Sequence, residues 1–263
     1  MKNALVVAAI IFAVMPAIGT AQSAFDGTWK TDVNSIDFSA KPSVYVFKDG
    51  TYECKTCATK ILVKTDGRDQ KIEGNPYADT LAVKLIDTHH VEMTSKKAGK
   101  VVARSKIAIS TDGNSMVREY ANNSAVNNEV VKGTTSYARV AYDKAAPNLM
   151  SGSWKAMKAD KRSDNGLLVT YKAEGDTLTM SMPTGESYRA TTAGAEAPFK
   201  GDPGVTSVVL KLVKKNILEE SFKRDGKVVS TNRTEVDAGG RKAKVDWVDY
   251  LTKTNGNYAM MKQ

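Results

Sequence analysis

The chain carries one stretch of sequence twice, and this duplication limits its folds more than any other feature. Phe25-Asp26-Gly27-Thr28-Trp29-Lys30 opens one copy and Met150-Ser151-Gly152-Ser153-Trp154-Lys155 opens the other. Further on, Gly74-Asn75-Pro76 corresponds to Gly201-Asp202-Pro203. At that same spacing Lys84-Leu85 matches Lys211-Leu212, Glu92 matches Glu219 and Lys96 matches Lys223. Gly99-Lys100-Val101-Val102 then matches Gly226-Lys227-Val228-Val229 without a gap. Solenoid units repeat every ~20–50 residues, so copies this long are domains in their own right. The expected organisation is a first module over 22–142, a linker over 143–149 and a second module over 150–263. The linker is placed where Lys144, Ala145, Ala146, Pro147 and Asn148 interrupt the alternating pattern.

Inside each copy the hydrophobic period is two. Leu81, Val83 and Leu85 form one row, and Val208, Leu210 and Leu212 repeat it. Side chains two apart share a face of a strand, so these rows point to a common interior. Val101, Ala103, Ser105, Ile107 and Ile109 form a longer row, opposed by Arg104 and Lys106. Turn signals fall between the runs: Asp49-Gly50, Asp112-Gly113, Gly175-Asp176, Asp225-Gly226 and Gly239-Gly240. Glycine and its Asp neighbour supply the backbone that tight hairpins need. Each copy reads as eight or nine short antiparallel strands, with room for a short helix around residues 32–39. A ring of hairpins removes sheet edges, so the expected fold is all-β: two tandem antiparallel up-and-down barrels.

Residues 1–21 read as a secretory signal peptide: Lys2, an uncharged apolar run from Ala4 to Met15, and small residues ending at Gly19-Thr20-Ala21. The run is shorter than the ~20 residues of a membrane span, and no later segment is long and apolar enough to be one. A periplasmic or extracellular location follows as an expectation. The formal charge of +9 includes Lys2, and no Lys/Arg run exceeds two residues. Such a balance reads first as a solvated, Lys-rich sheet surface that resists edge pairing. It also suits an anionic envelope polymer, such as lipopolysaccharide or a teichoic acid, as a partner. No nucleic-acid motif accompanies it, so nucleic acid is not an expected partner.

Gly27-x-Trp29 and Gly152-x-Trp154, each at the start of an all-β module, resemble the opening motif of lipocalins and the wider calycin group. The doubled layout resembles uncharacterised secreted bacterial proteins, for which it implies no activity. The resemblance implies that each Trp plugs the closed end of a barrel, with a basic side chain of the last strand across it. Arg139 fits that partner in the first copy. Alignment of Tyr137-Ala138 with Tyr258-Ala259 puts Met260 at the matching place in the second, with Lys262 two residues on. The roles of Trp29, Arg139 and Trp154 are then structural.

Chemistry-bearing residues are few. Cys54 and Cys57 are the only cysteines, and in an exported protein this spacing reads first as a local disulfide. Redox and metal roles are the alternatives. The strand-like run before Cys54 argues against the helix N-terminus that a redox cysteine uses, and zinc would need two more ligands. His89-His90 is the whole histidine complement and reads as a hairpin turn, which disfavours a Ser-His-acid triad. Acidic pairs such as Glu219-Glu220 read as turn residues. The sequons at Asn122 and Asn232 carry little weight. Arg118 and Tyr120 share a strand face and resemble the Arg-x-Tyr pair with which fatty-acid-binding proteins hold a carboxylate. The second copy has Val245 and Trp247 there.

The expected function is binding, without enzymatic activity or a cofactor: a small hydrophobic or amphiphilic ligand inside a barrel, with Arg118 and Tyr120 as candidate anchors. The alternative is an interaction module whose outer face meets an anionic or protein partner in the envelope. A thiol enzyme built on the cysteine pair ranks third.

Overall fold

The computed structural model describes residues 23–143 and 148–263, so the expected leader and residues 144–147 of the expected linker lie outside the described residues. Almost every described segment is strand or turn. The strands are β1 (Gly27–Thr31), β2 (Ser43–Lys48), β3 (Thr51–Cys54), β4 (Ile61–Lys64), β5 (Gln70–Lys71), β6 (Thr80–Leu85), β7 (His90–Lys97), β8 (Lys100–Ile109), β9 (Ser115–Asn122) and β10 (Val131–Tyr142). They continue with β11 (Gly152–Arg162), β12 (Leu168–Glu174), β13 (Thr177–Ser181), β14 (Ser187–Thr191), β15 (Ala193–Lys200), β16 (Ser207–Lys214), β17 (Ile217–Arg224), β18 (Lys227–Val236), β19 (Lys242–Asp249) and β20 (Thr254–Lys262). The helix allowed for near residue 32 is a single 3-10 turn, Val33–Ser35, capped by the Asp32 carboxylate. Among the described residues no helix is long and apolar enough to cross a membrane.

Two ten-stranded antiparallel sheets result. One closes fully in the order β1-β12-β13 and onward to β20. The other runs from β4 through β3, β2 and β11 back to β5. Its ends are drawn together where the Gly67 amide donates to the Val83 carbonyl at 2.9 Å and Leu85 donates to Thr65 at 3.4 Å. The expected turns sit between these strands. In Asp49-Gly50 both residues have positive φ (50° and 70°), as do Asp225 and Gly226 (52° and 76°), the backbone that twists a two-residue hairpin correctly.

The strands do not divide between the sheets as the repeat alone suggests. β1, expected in the first module, pairs with β12 and β20 of the second. β11, expected to open the second module, pairs with β10 and β2 of the first. The first sheet is therefore one continuous stretch, β2 to β11, while the second needs the N-terminal strand to close. The chain passes from one sheet to the other at residues 163–167, beyond the segment expected to be the linker. The cores follow the same exchange. Trp154 packs with Phe47, Val83 and Ile107, whereas Trp29 packs with Tyr171, Leu210 and Val236. β11 folds back antiparallel on β10 and closes against β2. The equivalent slot in the second barrel is then left for β1.

The two openings are built alike. The Trp29 indole N–H donates to the Phe25 carbonyl at 2.7 Å, and Trp154 to Met150 at 2.8 Å. Both rings are buried, each gaining roughly 4–6 kcal/mol of gross hydrophobic free energy. Gly27 and Gly152 hold φ of 112° and 127°, which other residues rarely adopt. Arg139 stacks on Trp154, its guanidinium carbon 4.0 Å from the ring centre, and not on Trp29. Trp29 instead meets Lys262, with Nζ at 5.4 Å. The sheet register explains this. Tyr120 pairs with Gly133 and Trp247 with Gly256, while Met116 pairs with Tyr137 and Ala243 with Met260. Met260 therefore matches Tyr137, and Lys262 matches Arg139. The basic partner is kept in both barrels.

Candidate binding cavity

The second barrel is hollow and the first nearly filled. A cavity of about 630 Å³ opens into the second, walled by Tyr171, Phe199, Phe222, Trp247 and Tyr258 among others and bordered by Tyr120, Thr135 and Ala159 of the first sheet. The hollow inside the first is about 170 Å³. An apolar cavity of several hundred cubic ångströms with a few polar groups is the usual form of a small-molecule site.

The buried charged group on its wall is Glu220. Alternation along β17 turns Leu218, Glu220 and Phe222 inward, and Glu220 is only 2% exposed. The pair Glu219-Glu220 is therefore not a turn: Glu219 faces out and pairs with Arg233, while Glu220 is sealed in the barrel. Its carboxyl accepts a hydrogen bond from the Tyr188 hydroxyl at 2.6 Å and is also bonded by the side chain of Asn232, its cross-strand neighbour. Among the described residues no basic side chain makes an ion pair with it. Burial pushes the carboxyl up to about 7, against the smaller opposing pull of Tyr188 and Asn232. The phenols of Tyr171 and Tyr188 are held well above their ordinary range, first by burial and then by Glu220 nearby. Tyr258 is pushed up to about 12 by the same causes. The inward Asn232 is also no acceptor for a glycan.

The alternation Leu218-x-Glu220-x-Phe222 was the available sequence signal for this site. Its counterpart in the first barrel is Val91-x-Met93-x-Ser95. There the interior charge is Arg118 instead, whose Nε and Nη2 donate to the buried Ser105 hydroxyl at 3.1 and 2.9 Å. Arg118 and Tyr120 are both half-buried on one face and line one hollow of about 390 Å³ between the barrels. That hollow shares Tyr120, Arg162, Gly166, Met182 and Glu186 with the large cavity, and Arg118 with the interior of the first barrel. Tyr120 lies flat over Gly133, where a Cβ would collide with its hydroxyl. The structure thus brings Tyr120 and Arg162 to the wall of the large cavity and places Arg118 in the adjoining hollow.

The remaining sequence candidates lie elsewhere. Cys54 and Cys57 form a disulfide at the end of β3. His89 and His90 sit in the β6–β7 hairpin, where His90 Nδ1 lies 2.9 Å from Asp87. Trp29 and Trp154 are buried in the cores of the two barrels, with Arg139 over the Trp154 ring. The fold and cavity define an antiparallel β-barrel protein with an open, largely aromatic-walled chamber. No known protein-family model matches the sequence, and no curated protein matches it significantly.

Proposed function

We propose that this is an exported, lipocalin-like binding protein without enzymatic activity, which carries a small hydrophobic or amphiphilic ligand in its second barrel. One observation carries the reading: a chamber of about 630 Å³ with largely aromatic and aliphatic walls and the buried Glu220 carboxyl among its few polar groups. The Gly-x-Trp openings, each with a cation over the ring, support the likeness to lipocalins. Tyr120 and Arg162 on the chamber wall, with Arg118 in the adjoining hollow, suit the polar end of an amphiphile.

Trp247 lines the chamber, whereas the other two tryptophans are buried in the plugs. A neutral fluorescent probe such as N-phenyl-1-naphthylamine is therefore expected to bind saturably and take energy from Trp247, with that transfer reduced in Trp247→Phe. Mass spectrometry of the purified protein is expected to find a co-purifying amphiphile. Absence of both saturable probe binding and any bound small molecule would sink the proposal. The small interior of the first barrel favours a second role for that half, as an interaction surface for an anionic envelope polymer. Binding of such a polymer should then weaken steeply with salt.

A further inference from the structure

We infer that the second barrel selects an amphiphile whose inner end is an organic cation, seated between the Glu220 carboxylate and the surrounding aromatic rings. This rests on the ligand-binding reading and narrows it to a chemical class. Glu220 lines the chamber yet is 2% exposed, and among the described residues no basic side chain makes an ion pair with it. Its two partners, Tyr188 and Asn232, are neutral donors. A buried carboxylate left without a counter-ion is costly, and a cation brought by the ligand removes that cost.

The surroundings suit the same guest. Tyr171, Tyr188 and Tyr258 approach from β12, β14 and β20, and Trp247 stands opposite Asn232 on the neighbouring strand. Aromatic faces around an acid attract alkylammonium groups through the ring quadrupole. β16 presents apolar Leu210 across from Glu220. The remaining charged groups on the chamber wall are Glu186, Asp202 and Arg162. The first barrel lacks the arrangement, since Met93 stands where Glu220 does.

A cation binds the ionised carboxylate, so binding expels the proton that burial keeps on Glu220 up to about pH 7. Affinity for a permanent cation should therefore rise with pH and level off above 7, with up to one proton released per ligand.

The test compares dodecyltrimethylammonium, dodecanol and dodecanoate, all below their aggregation limits, by titration calorimetry in buffers of different ionisation enthalpy. At pH 8 the ammonium is expected to bind about 30-fold tighter than dodecanol. That preference should shrink towards pH 5.5 and be lost in Glu220→Gln. The pH series on the unaltered protein probes the same carboxyl without any variant. Equal binding of ammonium and alcohol at pH 8, or a preference that survives Glu220→Gln, overturns the inference while leaving the chamber a ligand site. Failure of every dodecyl compound to bind would instead remove the ligand-binding reading itself, and this inference with it.

Discussion

Replacing Glu220 by Gln isolates the contribution of one buried proton to folding. Burial raises the carboxyl from 4.5 to about 7 in the folded protein. Between those values the native chain keeps a proton that the unfolded chain has released, so unfolding releases a proton and stability falls as pH rises. The stability linked to this proton is fully present below pH 4.5 and is lost as pH rises through about 7. At about 1.4 kcal/mol for each pH step, the loss across this interval accumulates to about 3 kcal/mol. Gln fills the same space and cannot ionise. The stability difference between wild type and Glu220→Gln should therefore shift by about 3 kcal/mol, in the variant's favour, from pH 4.5 to pH 8.5. Urea unfolding of both proteins along that series, followed by circular dichroism, measures the difference with other titrations cancelled. A difference that stays flat would refute the reasoning, because it would mean that the carboxyl titrates as it does in water.

Three further outcomes follow from the barrel ends. Gly152→Ala should destabilise by about 3 kcal/mol or more in urea unfolding, since its Cβ would collide with the Ala141 carbonyl in a strained φ. Gly27→Ala should cost less, because the obstacle there is the movable Lys262 side chain. Arg139→Ala is expected to cost more than Lys262→Ala, about 2 kcal/mol against ~0.5 kcal/mol, by the same assay. Arg139 lies between Trp154 and Tyr142 and also donates to the carbonyls of Gly113, Leu149 and Ser151, whereas Lys262 reaches only the Trp29 ring at 5.4 Å. Deletion of residues 23–31 should leave β12 and β20 as open edges and increase both dye binding and aggregation, and a synthetic peptide of that stretch should reverse the effect. Unchanged dye binding after deletion would contradict the closure described for the second sheet.

Much of the fold was legible because its causes are local. Asp49-Gly50 and Asp225-Gly226 dictate their hairpins through backbone freedom, and alternation such as Val208-x-Leu210 dictates which face turns inward. The exchange of β1 and β11 was not legible, because both carry the same Gly-x-Trp opening and either satisfies either slot. Side-chain pattern alone does not separate the two arrangements. Lys262 was misplaced because Tyr258-Ala259 imitates Tyr137-Ala138 two residues out of register. Glu220 was missed for a different reason. Two adjacent acids read as solvated, and only the inward row of Leu218 and Phe222 shows that one of them is inside. Arg118 and Tyr120 were found because their spacing of two fixes a shared face whichever way that face points.

The seam of the second barrel joins Trp29 to Lys262 and Lys30 to Met261, the earliest residues of the fold to the latest. The sheet built from Ser43 to Arg162 needs neither side of this seam. Its neighbour must wait, with one stave already made and standing idle, until the final strand arrives. The last wall of the chamber therefore joins strands far apart in sequence, so its closure is a long-range and slow step of folding.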